Sequence, residues 1–194
     1  MQDGWIFAYG SLMWDPGVPV AEAVPAQLAG WHRSFCLLSI CHRGTPECPG
    51  LVLGLDAAPG AICQGMALRV AAADWPEALA ATRRREMVTE AYQEAFLPLE
   101  TADGRMVQAL TYVMRRDHWQ YAGGLSLDEQ ARLIAAASGG RGTNAAYLAN
   151  FLAHLGKLGI EDADFAALMR KVRDALDRQD GEGTAALGMT RDAS

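Results

Sequence analysis

An α+β fold, a small mixed β-barrel or curved sheet with helices packed against it, is what this sequence predicts, on three observations. Short β-rich runs punctuated by Gly and Pro fill the chain as far as Met114, with one helix signal among them. Apolar residues at helical spacing fill most of the remainder. Asp103-Gly104 sits between two of the β-rich runs and marks them as an antiparallel hairpin.

The expected strands are Trp5–Tyr9, Ala29–Ser39, Leu51–Asp56, Ile62–Val70, Tyr92–Glu100 and Arg105–Met114. The last two flank Asp103-Gly104, whose tolerance of positive φ suits a type I′ turn. Between the fourth and fifth strands, Asp74-Trp75-Pro76-Glu77 supplies an N-cap acid, an early proline and an acid at N3, a pattern close to a capping box. That helix should run to Glu86. Ser126-Leu127-Asp128-Glu129 opens a second helix, Thr143 or Asn144 a third, and Asp162 or Asp164 a fourth. Tyr147, Phe151, Leu155 and Leu158 form one apolar stripe, and Phe165, Met169, Val172 and Leu176 another; both read as core faces. Residues 1–178 are expected to form a single domain and 179–194 a disordered tail, since Gly, Asp, Thr and Arg dominate there without period.

Composition narrows the function. With 51% hydrophobic and 21% charged residues among 194, the chain is that of a folded globule rather than a disordered or fibrous one. Seventeen Lys and Arg against 23 Asp and Glu give a net charge of -6, which argues against sequence-independent binding of nucleic acid. The longest run free of charged residues, Gly142–Gly156, is too short to span a bilayer. An acid near the N-terminus, where a signal peptide carries basic residues, points to the cytoplasm. Cys36, Cys41, Cys48 and Cys63 contain no CxxC pair, so reduced thiols are expected rather than a disulfide framework or a zinc knuckle.

Three segments could carry chemistry. Tyr9-Gly10-Ser11-Leu12-Met13-Trp14 follows a strand directly, and a turn there can present consecutive N–H groups to an anion; it also reads as a plain turn between elements. Ser11 lacks the GxSxG setting of a serine nucleophile. The group His32, Cys36, Cys41, His42 and Cys48 fits no common zinc spacing, and cysteines of this kind are usually small buried hydrophobes. His42-Arg43-Gly44-Thr45-Pro46 is either an ordinary connection or a loop flanking a substrate. Glu86, in Arg83-Arg84-Arg85-Glu86-Met87-Val88-Thr89, falls on the helix face of Trp75 and Leu79. A carboxylate there is either paired with a neighbouring arginine or desolvated into a usable base. Three arginines are too few to imply nucleic acid.

Together these segments resemble the ChaC family of glutathione-specific γ-glutamylcyclotransferases. The resemblance runs over roughly residues 4–176 and is carried by Trp5 to Trp14, Gly30-Trp31-His32-Arg33-Ser34-Phe35-Cys36, His42 to Pro46, and Pro49-Gly50-Leu51-Val52-Leu53-Gly54-Leu55. It continues through Arg85-Glu86-Met87-Val88-Thr89 with Tyr92, Ser138-Gly139, Gly142-Thr143-Asn144-Ala145 and Tyr147-Leu148. It implies a γ-glutamylcyclotransferase-like fold, no cofactor and no metal, and conversion of glutathione into 5-oxoproline and cysteinylglycine. It further implies that Glu86 is the general acid/base. Substrate binding then falls to Ile6, Phe7, Ala8, Tyr9, Gly10, Ser11, Leu12, Arg43, Tyr92 and Tyr147.

Two departures stand out: Ala8 and Glu90 occupy positions that are often Gly in the family, and Glu90 places a second carboxylate four residues from Glu86. The chemistry suits one carboxylate. The nucleophile is the substrate's own α-amine, so the protein need supply only a base that later returns its proton to the leaving amine, with donors for the carbonyl oxygen. Two rival readings stay open: a hydrolase or amide-transfer enzyme using Cys36, Cys41 or Ser11, and a γ-glutamyl-binding module without turnover. Oligomeric state is not legible.

Overall fold

The computed structural model describes residues 2–189, the side chains of 180–189 excepted. Two compact units are distinguishable: one comprises Met1–Leu37 with Leu53–Gly123, the other Leu38–Val52 with Gly124–Ser194.

The first unit is built on a closed barrel of β1 (Gly4–Ala8), β2 (Glu22–Ser39), β3 (Gly50–Val70), β4 (Tyr92–Thr101) and β5 (Met106–Met114), in the order β1-β3-β2-β4-β5. The ends of β2 and β3, from Leu38 and up to Val52, count with the second unit. β1 lies antiparallel to β3, with Ile6 opposite Leu68, and closes the barrel by a parallel pairing of Ile6 with Leu110 of β5. Phe7, Leu28, Leu55, Leu99 and Ala109 are buried in one cluster, the product of alternating side chains that turn one face of each strand inward.

Three expectations about the strands need correction. β2 begins at Glu22, not Ala29, because alternation through Val24, Ala26 and Leu28 outweighs the signal of Pro25. The two strands expected within 51–70 are one continuous strand. Pro59-Gly60 lies inside it, with Gly60 at φ +86, a conformation open to glycine at little cost. The hairpin of β4 and β5 pairs as expected, with Glu100 opposite Met106, but its turn is not type I′. Only Gly104 has positive φ, at +83; its N–H donates to the Thr101 carbonyl, and the Thr101 N–H donates to that of Arg105. This is a type I turn followed by a left-handed glycine.

α1 (Trp75–Glu86) follows β3 and lays Ala78 and Thr82 against the barrel. The Trp75 ring occupies the space a side chain on Gly4 would need, with ring atoms 2.0 Å from where a Cβ would stand. The expected capping box is absent: Asp74 is itself in helical conformation and its carboxylate makes no cap bond, while Glu77 pairs with Arg84. An N-cap side chain reaches its amide from extended backbone, which Asp74 lacks.

In the second unit α2 (Leu127–Ala136) opens on a true capping box between Ser126 and Glu129. The two-residue strands β6 (Ser138–Gly139) and β7 (Gly142–Thr143) pair, and Thr143 caps α3 (Asn144–Lys157) by accepting from the Ala146 N–H. Tyr147, Phe151 and Leu155 are buried as expected, whereas Leu158, past the end of α3, is exposed. α4 (Ala163–Met189) buries Phe165, Leu168, Val172 and Ala175, so its core face is rotated from the expected stripe. Phe151 and Phe165 meet edge to face at 5.2 Å. α4 continues through residues expected in the tail from 179 on. Ala185-Ala186-Leu187 favour helix, and glycine costs only about 1 kcal/mol per position. Residues 190–194 lie outside the described residues. No described helix is long and apolar enough to cross a membrane.

Candidate active site

The barrel places a turn at the end of β1. Ile6, Phe7 and Ala8 are buried to within 1% of full enclosure, so their side chains belong to the core and fix the strand. Tyr9 is buried too, and its hydroxyl donates to the Tyr112 carbonyl at 2.9 Å. Gly10 then starts a 3-10 turn over Ser11–Met13, in which the Met13 N–H donates to the Gly10 carbonyl. The amides of Ser11 and Leu12 precede that first bond and have no acceptor inside the turn. What the segment can offer a ligand is therefore backbone and the Ser11 hydroxyl, with Leu12 buried beneath.

Arg33 sets the turn's entry. This buried arginine, 8% exposed as a residue, donates from its guanidinium to the Tyr9 carbonyl at 2.9 Å and to that of Gln64. In a trans peptide the N–H points opposite to the C=O, so Arg33 also fixes the direction of the Gly10 N–H.

Glu86 stands at the last residue of α1, four residues beyond buried Thr82 and eight beyond buried Ala78. Its side chain is 18% exposed, and Arg85 Nε lies 3.2 Å from its Oε1. The carboxylate is thus half-buried and paired with Arg85. The Tyr112 hydroxyl on β5 donates to Thr82 Oγ1 at 3.1 Å, one helical turn before Glu86, and fastens α1 to the barrel. Burial pushes that phenol up to about 12, with the Glu94 and Glu86 carboxylates adding to the rise, so it stays a neutral donor.

The three arginines before Glu86 part company, since successive helical residues point 100° apart. Arg83 grips Glu94 with two bonds of 2.7 Å, Arg84 reaches Glu77 at 2.9 Å, and Arg85 turns toward the β1 turn. Glu90 is exposed and its backbone has φ +57. A left-handed residue is a natural place for glycine, so a glutamate here carries a steric cost. Tyr92, the first residue of β4, is buried and donates to the Leu53 carbonyl at 2.7 Å.

Arg43 and Tyr147 belong to the second unit, where they meet: the guanidinium carbon lies 5.3 Å from the ring centroid. Arg43 also donates to the Arg141 and Thr143 carbonyls, and burial lowers it from its ordinary value. Its loop is held by bonds from Gly140 and Arg141 N–H groups to the Cys41 and His42 carbonyls. Buried Asn144 accepts from the Leu51 N–H at 2.6 Å and donates to the Leu51 carbonyl at 2.8 Å, as a neighbouring strand would. Asn144 therefore braces the strand segment at Leu51.

Among the described residues no group of three or more His, Cys, Asp and Glu side chains is placed to hold a metal ion. Cys36 is buried, and burial pushes its thiol up to about 11, while Cys41 and Cys48 are exposed and all four cysteines are free. His32 lies 3.9 Å from Asp56, a buried carboxylate that accepts from Arg116 and Tyr121 at 2.7 Å each. Sequence reasoning assigned no role to Arg33, Thr82, Tyr112 and Asp56. Arg33 alone carried a signal, a charged residue midway in an expected strand.

Comparison with known proteins follows the same lines. The model of a family described as ChaC-like protein matches residues 4–175. The glutathione-specific γ-glutamylcyclotransferase of Escherichia coli is 39% identical over 172 residues, 89% of this chain and 74% of that one. The γ-glutamylcyclotransferase 2-3 of Arabidopsis thaliana is 31% identical over 178 residues, 89% of each chain. Among solved structures, a selenomethionine-labelled γ-glutamylcyclotransferase specific to glutathione from yeast shares the fold with a TM-score of 0.82 at 21% identity, over 90% of this chain and 97% of that one.

Proposed function

Because the chain belongs to the ChaC-like family, we propose that it is a glutathione-specific γ-glutamylcyclotransferase, converting glutathione into 5-oxoproline and cysteinylglycine. The observation that carries this reading is the joining of a half-buried carboxylate, Glu86, to the turn after β1 through Arg85, in the company of relatives of that activity.

Glutathione enters with its α-amine as an ammonium. Glu86 takes one of its protons, and the freed nitrogen attacks the γ-amide carbon, closing a five-membered ring. Charge developing on the carbonyl oxygen needs donors, which the amides and hydroxyl of the turn can supply. The C–N bond to the cysteinyl nitrogen then breaks as Glu86 returns its proton to that nitrogen, and the ring nitrogen sheds its second proton, which the departing amine takes up to leave as an ammonium. Atoms and charge balance without a cofactor or a protein nucleophile.

Ile6, Phe7 and Ala8 act as scaffold, Tyr9 to Leu12 as the glutamyl-holding turn, and Tyr92 as a wall residue fixed through Leu53. Arg43 and Tyr147 are kept as substrate-binding residues on the family resemblance alone. Residues 1–178 act as a single domain in this reading, supported by a family model that spans parts of both units. Four free thiols suit the cytoplasm.

The test is selectivity. Glutathione should be preferred over γ-glutamylalanine in kcat/KM, the ratio in which discrimination must show. Equal ratios would reduce the reading to a general γ-glutamylcyclotransferase.

A further inference from the structure

We propose that Arg85 is a positioning residue that holds the Ser11 hydroxyl and the Glu86 carboxylate in one frame, so that the grip on the substrate and the placement of its base depend on a single guanidinium. The inference rests on the cyclotransferase reading and assigns a duty to a residue that sequence analysis used only as part of a basic run and of the motif carrying the resemblance.

Of the three consecutive arginines, Arg83 and Arg84 have half or more of their side chains exposed, and Arg85 only 17%. Its contacts go to three places. Nη2 donates to Ser11 Oγ at 2.9 Å, Nη1 donates to the Asp15 carbonyl at 2.6 Å with the Asp15 carboxylate 3.6 Å away, and Nε faces Glu86 Oε1 at 3.2 Å. The planar guanidinium can serve these acceptors at once because its N–H groups are fixed in a fork, which the single ammonium of lysine cannot copy.

Each contact has a consequence for chemistry. Ser11 Oγ is used as an acceptor, so the hydroxyl proton is left to be donated, the polarity that an anionic group or a developing oxyanion requires. The Asp15 N–H already donates to the Ser11 carbonyl, so Arg85 braces both ends of the turn that carries the proposed donors. On the other side, a charge-assisted contact restricts the rotamers of Glu86. The other charged and titratable groups near this end of α1 are otherwise engaged: Glu94 with Arg83, and Tyr112 with Thr82.

The experiment compares kcat and KM for glutathione in the parent protein, Arg85→Lys, Arg85→Met, Ser11→Ala and Ser11→Ala/Arg85→Met, with folding followed by circular dichroism. Arg85→Met should raise KM about tenfold and lower kcat about ten- to a hundredfold, the scale of a misplaced catalytic group. Arg85→Lys should recover most of kcat, by keeping a cation beside Glu86, and little of KM. Ser11→Ala should cost much less in the Arg85→Met background than in the parent, since both changes break one unit. A residue that served only stability would lower the folded fraction and leave KM alone. Parental KM and kcat in folded Arg85→Met, or effects that multiply independently, would overturn the proposal. Should Arg85→Met not fold, parental KM in Arg85→Lys would overturn it and a raised KM would support it. A parent protein that forms no 5-oxoproline would instead overturn the cyclotransferase reading itself, and the proposal with it.

Discussion

The hydroxyl of Tyr112 donates a hydrogen bond to Thr82 Oγ1 at 3.1 Å, which ties the middle of α1 to strand β5 of the barrel one helical turn before Glu86. Both residues are buried to within 2% of full enclosure, and Thr82 passes the bond on to the Ala78 carbonyl at 3.0 Å. The position of the proposed base is thus set by the barrel and not by the helix alone.

Tyr112→Phe removes this tie while keeping the ring. We predict a loss of about 1 kcal/mol in urea unfolding, the usual worth of one buried hydrogen bond. The rate should suffer separately: kcat falls several-fold with KM nearly unchanged, because the base shifts while the binding turn does not. Parental kcat in the folded variant would show that Glu86 is placed by other contacts.

Glu90 holds φ +57 without a glycine's freedom. Glu90→Gly should therefore stabilise the protein by about 0.5–1 kcal/mol, seen as a raised denaturant midpoint at constant slope. Glu90→Gln keeps the backbone penalty and should change neither stability nor turnover. A large loss of turnover in Glu90→Gln would promote this carboxylate to the role given to Glu86.

The limits of sequence reading are visible at these same residues. Helical periodicity, a local property, is enough to place Glu86 on the face of Trp75 and Leu79, whereas its role as base comes from the family resemblance. Ser126-Glu129 is local in the same way, since a capping box is complete within four residues. Asp74 looked equally convincing and failed, because capping depends on backbone torsion that the letters do not specify. Tyr112 is 30 residues from Thr82, and Arg85 is 74 from Ser11, so neither partnership has a local signal. The three arginines illustrate the point: one run of identical residues carries three different duties, distributed by 100° steps and by what each direction happens to face.

Asp56 provides a pH test away from the site. Its burial favours the neutral acid, but hydrogen bonds from Arg116 and Tyr121, with the Arg116 charge, outweigh that and hold the carboxyl below its ordinary value. A carboxyl depressed in the folded state contributes stability above its unfolded pKa, near 4, and loses it as pH falls through the folded value. The parent should therefore lose more stability than Asp56→Asn between about pH 4 and pH 2. Equal slopes in that window would mean that the Arg116 pairing is not felt.

The thiols should be dispensable. Iodoacetamide applied to the native protein should label exposed Cys41 and Cys48, leave buried Cys36 and Cys63 untouched, and not slow turnover. Cys36 is doubly protected, being fully buried and raised to about 11. Inactivation that tracks labelling would revive a thiol mechanism.

The most direct measurement follows 5-oxoproline release from glutathione by the parent protein and by Glu86→Gln, with folding checked in both. Glu86→Gln keeps size and hydrogen bonding but cannot accept the ammonium proton. The parent should release 5-oxoproline and cysteinylglycine in equal amounts, and Glu86→Gln should be slower by about 10²–10⁴-fold, the range typical of general acid–base catalysis. Turnover by folded Glu86→Gln near the parent rate would contradict the account.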